Sequence, residues 1–411
     1  MNKFVNIKSS KVTVKFSNTG KLNKLNEFRK EYVKTVLGFV DVMWEMEDIP
    51  SLVTTEISKK VTSNLMSRSL QAAGKQASGI VRGTRKKNKQ RLFIYDKLIK
   101  NGKLKLARKL LAKIKKTPVG KPTIDKVNPQ LDSRFFEIIL GGKTCFDGWL
   151  TFKQIGLKER ISIPIKLTKH INKLQSSGYR LMKSVCLNRE SVTLCFEKEA
   201  IPFAPEGNTI GVDIGIKALY SVSDGRQSSQ DIHGHTLDTI CRKLCRKKKD
   251  SKGFKRAQAH RKNHINMCLN QLSLNGVRTL KLENIKNLNR GKRVSKYLAR
   301  WTYADIKSKL ESMCKESGVL IQYIDQTYTS QRCSSCGWTR KGNRHGVSFK
   351  CKSCGFTANA DLNASINISL NLPPIGRKKR LQHPNRTGFY WYVVGQEPIV
   401  PVVTEIKLTL E

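Results

Sequence analysis

The sequence has no apolar run long enough to cross a membrane. Its first residues, MNKFVNIKSSKVTVKF, alternate apolar and polar side chains and lack the apolar block of a signal peptide. We therefore expect an intracellular protein that does not act at a membrane. In a reducing compartment, the 11 cysteines are expected to be thiols or metal ligands rather than disulfides.

Acidic residues are also scarce. The chain has 31 Asp and Glu against 78 Lys and Arg, a formal net charge of +47. A field of that sign attracts phosphate, and each phosphate contact releases counterions. The charge favours a nucleic-acid partner, but it does not separate an enzyme from a ribosomal or chromatin-like basic binder.

No internal repeat is evident, and a length of 411 residues indicates two to four domains. The pattern predicts a strand within residues 1–18, mainly helices over 20–124, and short strands over 125–205 that suit a barrel or sandwich. From 208 onward strands and helices alternate. The fold class expected is multidomain α+β. The tail, 371–411, has no assignable role, although its basic run Arg377–Arg380 could pass for a nuclear signal.

Two stretches concentrate the positive charge. Residues 82–121 hold sixteen Lys and Arg and one acid, Asp96; residues 242–262 hold eleven and one acid, Asp250. A charge run is most often a solvated helix face. Here the imbalance is too large for that, because unpaired like charges one turn apart destabilise a helix unless a polyanion lies against them. We expect nucleic-acid contact.

Three acidic residues stand where a metal site could form. Asp213 lies in the strand-like run IGVDIG, Glu283 ends the run VRTLKLE, and Asp361 opens a predicted helix. These positions can converge at one end of a mixed sheet. Carboxylates suit Mg²⁺, and two such ions can stabilise the charge that develops when a phosphodiester is hydrolysed. Each acid taken alone could equally be a surface residue, and Asp361 could be a helix cap.

Four cysteines form two CxxC pairs. Cys333 and Cys336 precede Cys351 and Cys354 by fourteen residues, and a glycine follows each pair. The spacing predicts a closed structural Zn²⁺ site with four thiolate ligands. His345 lies between the pairs and need not be a ligand.

These residues resemble a known family. The runs DQTYTSQRCSSCG, FKCKSCGF and ANADLNA are similar to the TnpB nucleases encoded by transposons and to the miniature type V CRISPR effectors. Gly211–Gly215 and Leu282–Asn284 resemble the first and second RuvC motifs, so the firm resemblance covers about 208–370.

The resemblance implies a prokaryotic, RNA-guided DNA endonuclease of the cytoplasm or nucleoid. It implies a guide RNA and target double-stranded DNA as partners, a short flanking DNA motif read by the protein, and two catalytic Mg²⁺ ions besides the zinc. It also implies that Arg344, in the run Gly-Asn-Arg, contributes to cleavage by contacting the scissile phosphate. The implied layout is a wedge barrel of oligonucleotide-binding type (1–18 and 125–205), a helical recognition lobe (19–124) and an RNase H-like RuvC core (206–370) with a zinc ribbon at 327–358.

Two other functions stay open. One is a guide-directed repressor that binds DNA without cutting it, which the presence of all three acids disfavours. The other is an RNase H-like nuclease that selects DNA structures and needs no guide. The sequence leaves open whether the guide is of transposon or CRISPR type, and whether one copy or two act together.

Overall fold

The computed structural model describes residues 5–116, 121–122, 124, 127–141, 144–153, 160–285, 295, 297–375 and 387–393. The chain divides into two compact units, one ending at Glu199 and the other beginning at Ala200. Among the described helices, none combines the length and the apolarity that crossing a membrane requires. The run Arg377–Arg380 lies outside the described residues.

The first unit begins with a strand, continues with helices and returns to strands, in the predicted order. Its helices are α1 (Thr19–Glu45), α2 (Thr55–Lys59), α3 (Ser67–Lys100), α4 (Leu104–Lys116) and α5 (Lys169–Ser176). Its strands are β1 (Val5–Thr13), β2 (Gln130–Asp132), β3 (Phe136–Leu140), β4 (Gly148–Phe152), β5 (Ile161–Ile165), β6 (Arg180–Leu187) and β7 (Ser191–Glu199).

Helix α1 shows why these residues form this unit. Asn18 caps it by accepting a hydrogen bond from the Lys21 backbone N–H at 2.9 Å. Its apolar residues recur every three or four positions and form one buried stripe. The stripe consists of Leu25, Phe28, Tyr32, Val36, Phe39, Val40 and Met43. It contributes to one apolar core that the strands of this unit share.

The expected barrel is wrong for the strands that the structure describes. They form two antiparallel sheets, a four-stranded one in the order β1-β7-β6-β2 and a three-stranded one in the order β3-β4-β5. Strand β2 has only three residues, and a short turn leads from it into β3, which pairs with β4. Alternating burial is the same in a barrel and in stacked sheets, so the pattern could not distinguish them.

The second unit is built on a mixed sheet. Its strands are β8 (Asn208–Asp213), β9 (Ser221–Val222), β10 (Val277–Glu283) and β11 (Leu320–Ile324), in the order β11-β10-β8-β9. Strand β10 runs parallel to β8 and β11, whereas β9 is antiparallel to β8. Its helices are α6 (Leu237–Cys245), α7 (Lys252–Gln271), α8 (Tyr303–Ser317) and α9 (Ala360–Ser369).

The basic stretch 242–262 is not one continuous helix. Helix α6 ends before Arg246, Asp250 takes a left-handed φ of 66°, and Ser251 caps α7. The serine side chain accepts from the Phe254 N–H at 3.1 Å, which starts the new helix. The break follows from local hydrogen bonding that apolar periodicity does not report.

The cysteine region adds short strands to this unit. They are β12 (Trp338–Thr339), β13 (Arg344–His345), β14 (Ser348–Lys350), β15 (Thr357–Asn359) and β16 (Phe389–Tyr390). Strands β13, β14 and β15 form one antiparallel sheet, and β12 pairs with β16. Part of the tail, to which the sequence assigned no role, is therefore a strand against the cysteine region.

Candidate metal centre

Asp213 and Glu283 occupy the carboxyl ends of two neighbouring parallel strands. Val212 of β8 lies opposite Leu282 of β10, so the residues that follow them come level at one edge of the sheet. Parallel strands place their carboxyl ends together, and clefts at that edge are where open α/β sheets bind ligands. The arrangement brings these two predicted site residues together.

Helix α9 brings Asp361 to the same edge, because it packs on β8 at Gly211. A Cβ at Gly211 would lie 2.1 Å from the Ser365 carbonyl oxygen and 2.4 Å from the Ser369 nitrogen, both in the α9 backbone. The glycine therefore admits a helix of the same chain.

Asp361 is not the cap of α9. That position belongs to Asn359, whose side chain accepts from the N–H groups of Asp361 and Leu362. The Asp361 carboxylate instead accepts a hydrogen bond from the Arg344 guanidinium at 2.6 Å, in an ion pair whose side chains are 15% and 29% exposed. All four predicted residues of the acidic site thus meet in one place.

The Asp213 carboxyl group is repelled by the other two acids. Burial, then the charges of Glu283 and Asp361, raise the pKa of Asp213 to about 8, and Arg344 opposes that rise. Burial also raises the pKa of Glu283, against a hydrogen bond from Thr329 and the charge of Arg344. Clustered acids of this kind are costly unless a cation is bound between them.

The carboxylate oxygens suit a hard cation such as Mg²⁺. Among the described residues, the three acids do not form a group with all ligand atoms within 4.8 Å of one another. Arg344 holds Asp361 and Thr329 donates to Glu283, so two of the three carboxylates already have partners. The guanidinium supplies the positive charge beside these acids.

Several residues that hold the acids were not found from the sequence. Thr329 donates its hydroxyl to the Glu283 carboxylate, and Tyr303 donates to the Glu283 backbone oxygen at 2.5 Å. Lys281 is buried, and its ammonium group donates to Ser369 O at 2.9 Å and Leu370 O at 3.1 Å, at the carboxyl end of α9. A cation is favourable there, and it ties β10 to α9. In the sequence, the signal for this contact was a lysine at an inward-facing position of a predicted strand.

Arg332 and two asparagines of α9 join the helix to the cysteine region. Asn363 and Asn367, one turn apart and fully buried, both donate to the Arg332 backbone oxygen, at 2.8 and 2.7 Å. The Arg332 guanidinium donates to Asn367 at 2.7 Å, and Asn367 also donates to the Thr329 oxygen at 2.9 Å. Buried amides spaced four residues apart in ANADLNASINI were the signal for this contact.

The four predicted cysteine ligands converge. Their sulfur atoms all lie within 4.8 Å of one another, with Cys333 to Cys354 at 3.8 Å and Cys336 to Cys351 at 3.7 Å. Tetrahedral zinc with Zn–S distances of about 2.3 Å requires S–S separations of roughly 3.8 Å, so the cluster is compatible with zinc. His345 is outside this group, and its Nε2 lies 3.0 Å from the Gly342 oxygen.

Comparison with known proteins agrees with the resemblance. Residues 303–368 match the Cas12f1-like, TNB domain family. The chain is 43% identical over 96 residues to a CRISPR-associated endodeoxyribonuclease Cas12f1 of Sulfoacidibacillus thermotolerans, covering 23% of this chain and 22% of that protein. It is 27% identical over 199 residues to the putative RNA-guided DNA endonuclease InsQ of Escherichia coli K12, covering 41% and 50%.

The chain therefore aligns with a fifth to a half of the length of these curated relatives. A solved Cas12f1-sgRNA-target DNA complex matches with a TM-score of 0.42 and 16% identity, over 89% of this chain and 99% of the other. At that TM-score, the likeness adds nothing to the topology described above. The predicted resemblance to TnpB-like proteins and miniature type V effectors is confirmed.

Proposed function

We propose that the chain is an RNA-guided DNA endonuclease with one RuvC-type site formed by Asp213, Glu283 and Asp361. The observation that carries the proposal is the approach of these acids at one sheet edge, where burial, and then the charges of Glu283 and Asp361, raise the pKa of Asp213 to about 8. The relatives that are named an endodeoxyribonuclease and a putative RNA-guided DNA endonuclease support it.

In this proposal the three carboxylates hold divalent metal, which supplies charge neutralisation for phosphodiester hydrolysis. Thr329 orients the Glu283 carboxylate, and Asn359 starts the helix that presents Asp361. Arg344 is partly exposed beside Asp361, so its guanidinium is placed to bind a phosphate oxygen of the scissile strand. The net charge of +47 supplies the field that attracts RNA and DNA.

The first test separates cutting from binding. Asp213→Ala is expected to abolish DNA cleavage while RNA and DNA affinities stay within a few-fold of the parent protein. Arg344→Ala is expected to slow single-turnover cleavage about 10²-fold, the usual loss when one charge-stabilising donor is removed. A parent protein that cuts with no guide after RNase treatment would favour the guide-independent nuclease, and one that binds but never cuts would favour the repressor.

RNA recovered with the protein from its host tests the guide. We expect a discrete RNA with a variable segment at one end, which sequencing would identify as transposon-associated or CRISPR-associated. A diffuse mixture of cellular RNA would contradict the proposal, because a basic protein binds such mixtures through charge alone.

We also propose that the four cysteines bind one structural Zn²⁺. Burial raises the pKa of Cys333 to about 11, so a bound cation is needed to keep its thiolate at neutral pH. Cys351→Ser is expected to lower the zinc content from about one per chain to near zero by elemental analysis. Cys145→Ser, which removes an exposed thiol elsewhere, should retain the metal.

A further inference from the structure

Residues 387–393 contact residues on both sides of the first CxxC pair. The Trp391 N–H donates to Gly337 O at 3.0 Å, and the Trp391 oxygen accepts from Arg332 Nε at 2.7 Å. The indole ring is 7% exposed, and its N–H donates to Pro373 O at 3.1 Å. These bonds fix both the backbone and the side chain of Trp391, so this part of the tail is held against the cysteine region.

The segment it contacts, residues 328–333, is here called the acid-contacting loop, because Thr329 in it donates to the Glu283 carboxylate. Tyr328 begins the loop with a φ of 64°, a left-handed conformation that costs a non-glycine residue about 1 kcal/mol or more. Its ring meets that of Phe389 edge-on, with centroids 5.8 Å apart. The loop is thus strained at the residue next to Thr329, and β16 packs on the strained residue.

The loop also reaches the third acid. The Arg332 guanidinium binds the Trp391 oxygen and Asn367 of α9 at 2.7 Å each, so one buried side chain joins the tail to the helix that carries Asp361. The Arg332 side chain is 4% exposed in the protein. A cation buried to this degree depends on the carbonyl oxygens around it, of which the tail provides one.

We propose that residues 387–393 form a positioning segment: they hold the acid-contacting loop so that Glu283 and Asp361 keep the separation that cleavage requires. Phe389 acts through Tyr328 and Thr329 on Glu283, and Trp391 acts through Arg332 and α9 on Asp361. They are positioning residues, not catalytic ones. This inference rests on the proposed nuclease function and extends it to the tail.

The test uses the full chain with its RNA. Phe389→Ala is expected to slow single-turnover cleavage about tenfold to 100-fold, since a displacement of about 1 Å can cost roughly that much, while DNA affinity changes less than about twofold. Adding Tyr328→Gly should restore most of the rate, because glycine adopts the left-handed conformation without strain. Trp391→Ala should resemble Phe389→Ala, and Trp391→Phe should recover in part because it keeps the ring.

Leu310→Ala is the control, since it removes a fully buried apolar side chain of α8, outside both basic stretches, and so tests stability loss alone. Equal rates for Phe389→Ala and Leu310→Ala, or no recovery on adding Tyr328→Gly, would overturn the proposal. A second measurement does not depend on cleavage: hydrogen exchange of residues 329–333 and 361–369 should quicken at least tenfold in Phe389→Ala and not in Leu310→Ala. If the parent protein never cuts DNA, this comparison still decides whether the tail holds the loop.

Discussion

At the scale of single residues, the Asp213 carboxyl group lies where its ionised form is unfavourable. Its pKa of about 8 comes first from burial and then from Glu283 and Asp361, with Arg344 as the opposing charge. A metal site often has this electrostatic repulsion in its metal-free form, because its acids are positioned to bind a cation between them.

This cost predicts a pH dependence. The pKa of Asp213 is about 8 in the folded chain against an ordinary value of 3.8, so between these pH values the folded chain binds more protons than the unfolded one. Its contribution is therefore fully favourable below about pH 4 and is lost as pH rises to 8. In divalent-free buffer, Asp213→Asn should raise the free energy of unfolding on the order of a few kcal/mol at pH 8 and much less at pH 4.

Denaturant unfolding at these two pH values would measure the effect. Asp224→Asn is the control of opposite sign, because the hydrogen bond from Arg226 lowers the pKa of Asp224. That acid stabilises the fold at neutral pH, and its variant should be less stable than the parent there. Equal pH profiles for Asp213→Asn and the parent would contradict the placement of Asp213.

At the scale of elements, the contact between α9 and β8 sets where Asp361 lies. Gly211 leaves room for the contact, and Lys281 donates to the carboxyl end of the helix. On the buried face of the helix, Asn363 and Asn367 donate hydrogen bonds to the segment before the cysteines. These interactions involve different parts of the helix. Its position therefore depends on both the sheet and the cysteine region.

Gly211→Ala tests this packing. The added Cβ would lie within 2.4 Å of backbone atoms of α9, which cannot move away as the end of a flexible side chain can. We expect a loss of about 3 kcal/mol or more in the free energy of unfolding, at the upper end for overpacking. Gly79→Ala is the control: that helical position has nothing within 4 Å, so alanine should stabilise the chain by about 0.5–1 kcal/mol. A neutral Gly211→Ala would show that α9 can shift.

At the scale of the whole molecule, we expect the excess of basic residues to govern the affinity for the proposed guide RNA and DNA. The net charge of +47 predicts that RNA affinity falls steeply with salt, about 10³-fold or more between 50 and 200 mM if six or more phosphates are contacted. Lys86, Lys87 and Lys89 of α3 are exposed. Replacing these three lysines by glutamine should lower the slope of log affinity against log salt by about two. An unchanged slope would exclude this face from phosphate contact.

Local pattern and spacing were enough for much of this molecule. The order of strands and helices, the two CxxC pairs, Glu283 at a strand end and Asp361 at a helix start could be predicted, because each depends on residues close in the chain. Asp213 was expected in the middle of the run IGVDIG, whereas it is the last residue of β8. The domain ranges and the roles of the acids and Arg344 stay predictions. The wedge barrel was wrong for the described strands.

Tertiary structure decided what depends on residues far apart. Three such contacts join residues 17 to about 50 positions apart. They are the pairing of β16 with β12, the ion pair of Arg344 with Asp361, and the hydrogen bond from Thr329 to Glu283. Periodicity reports which side of an element is buried, but not which element covers it. The buried hydrogen bonds of Arg332, Asn363 and Asn367 answer that question here, because each polar group must find its partner once the chain has packed.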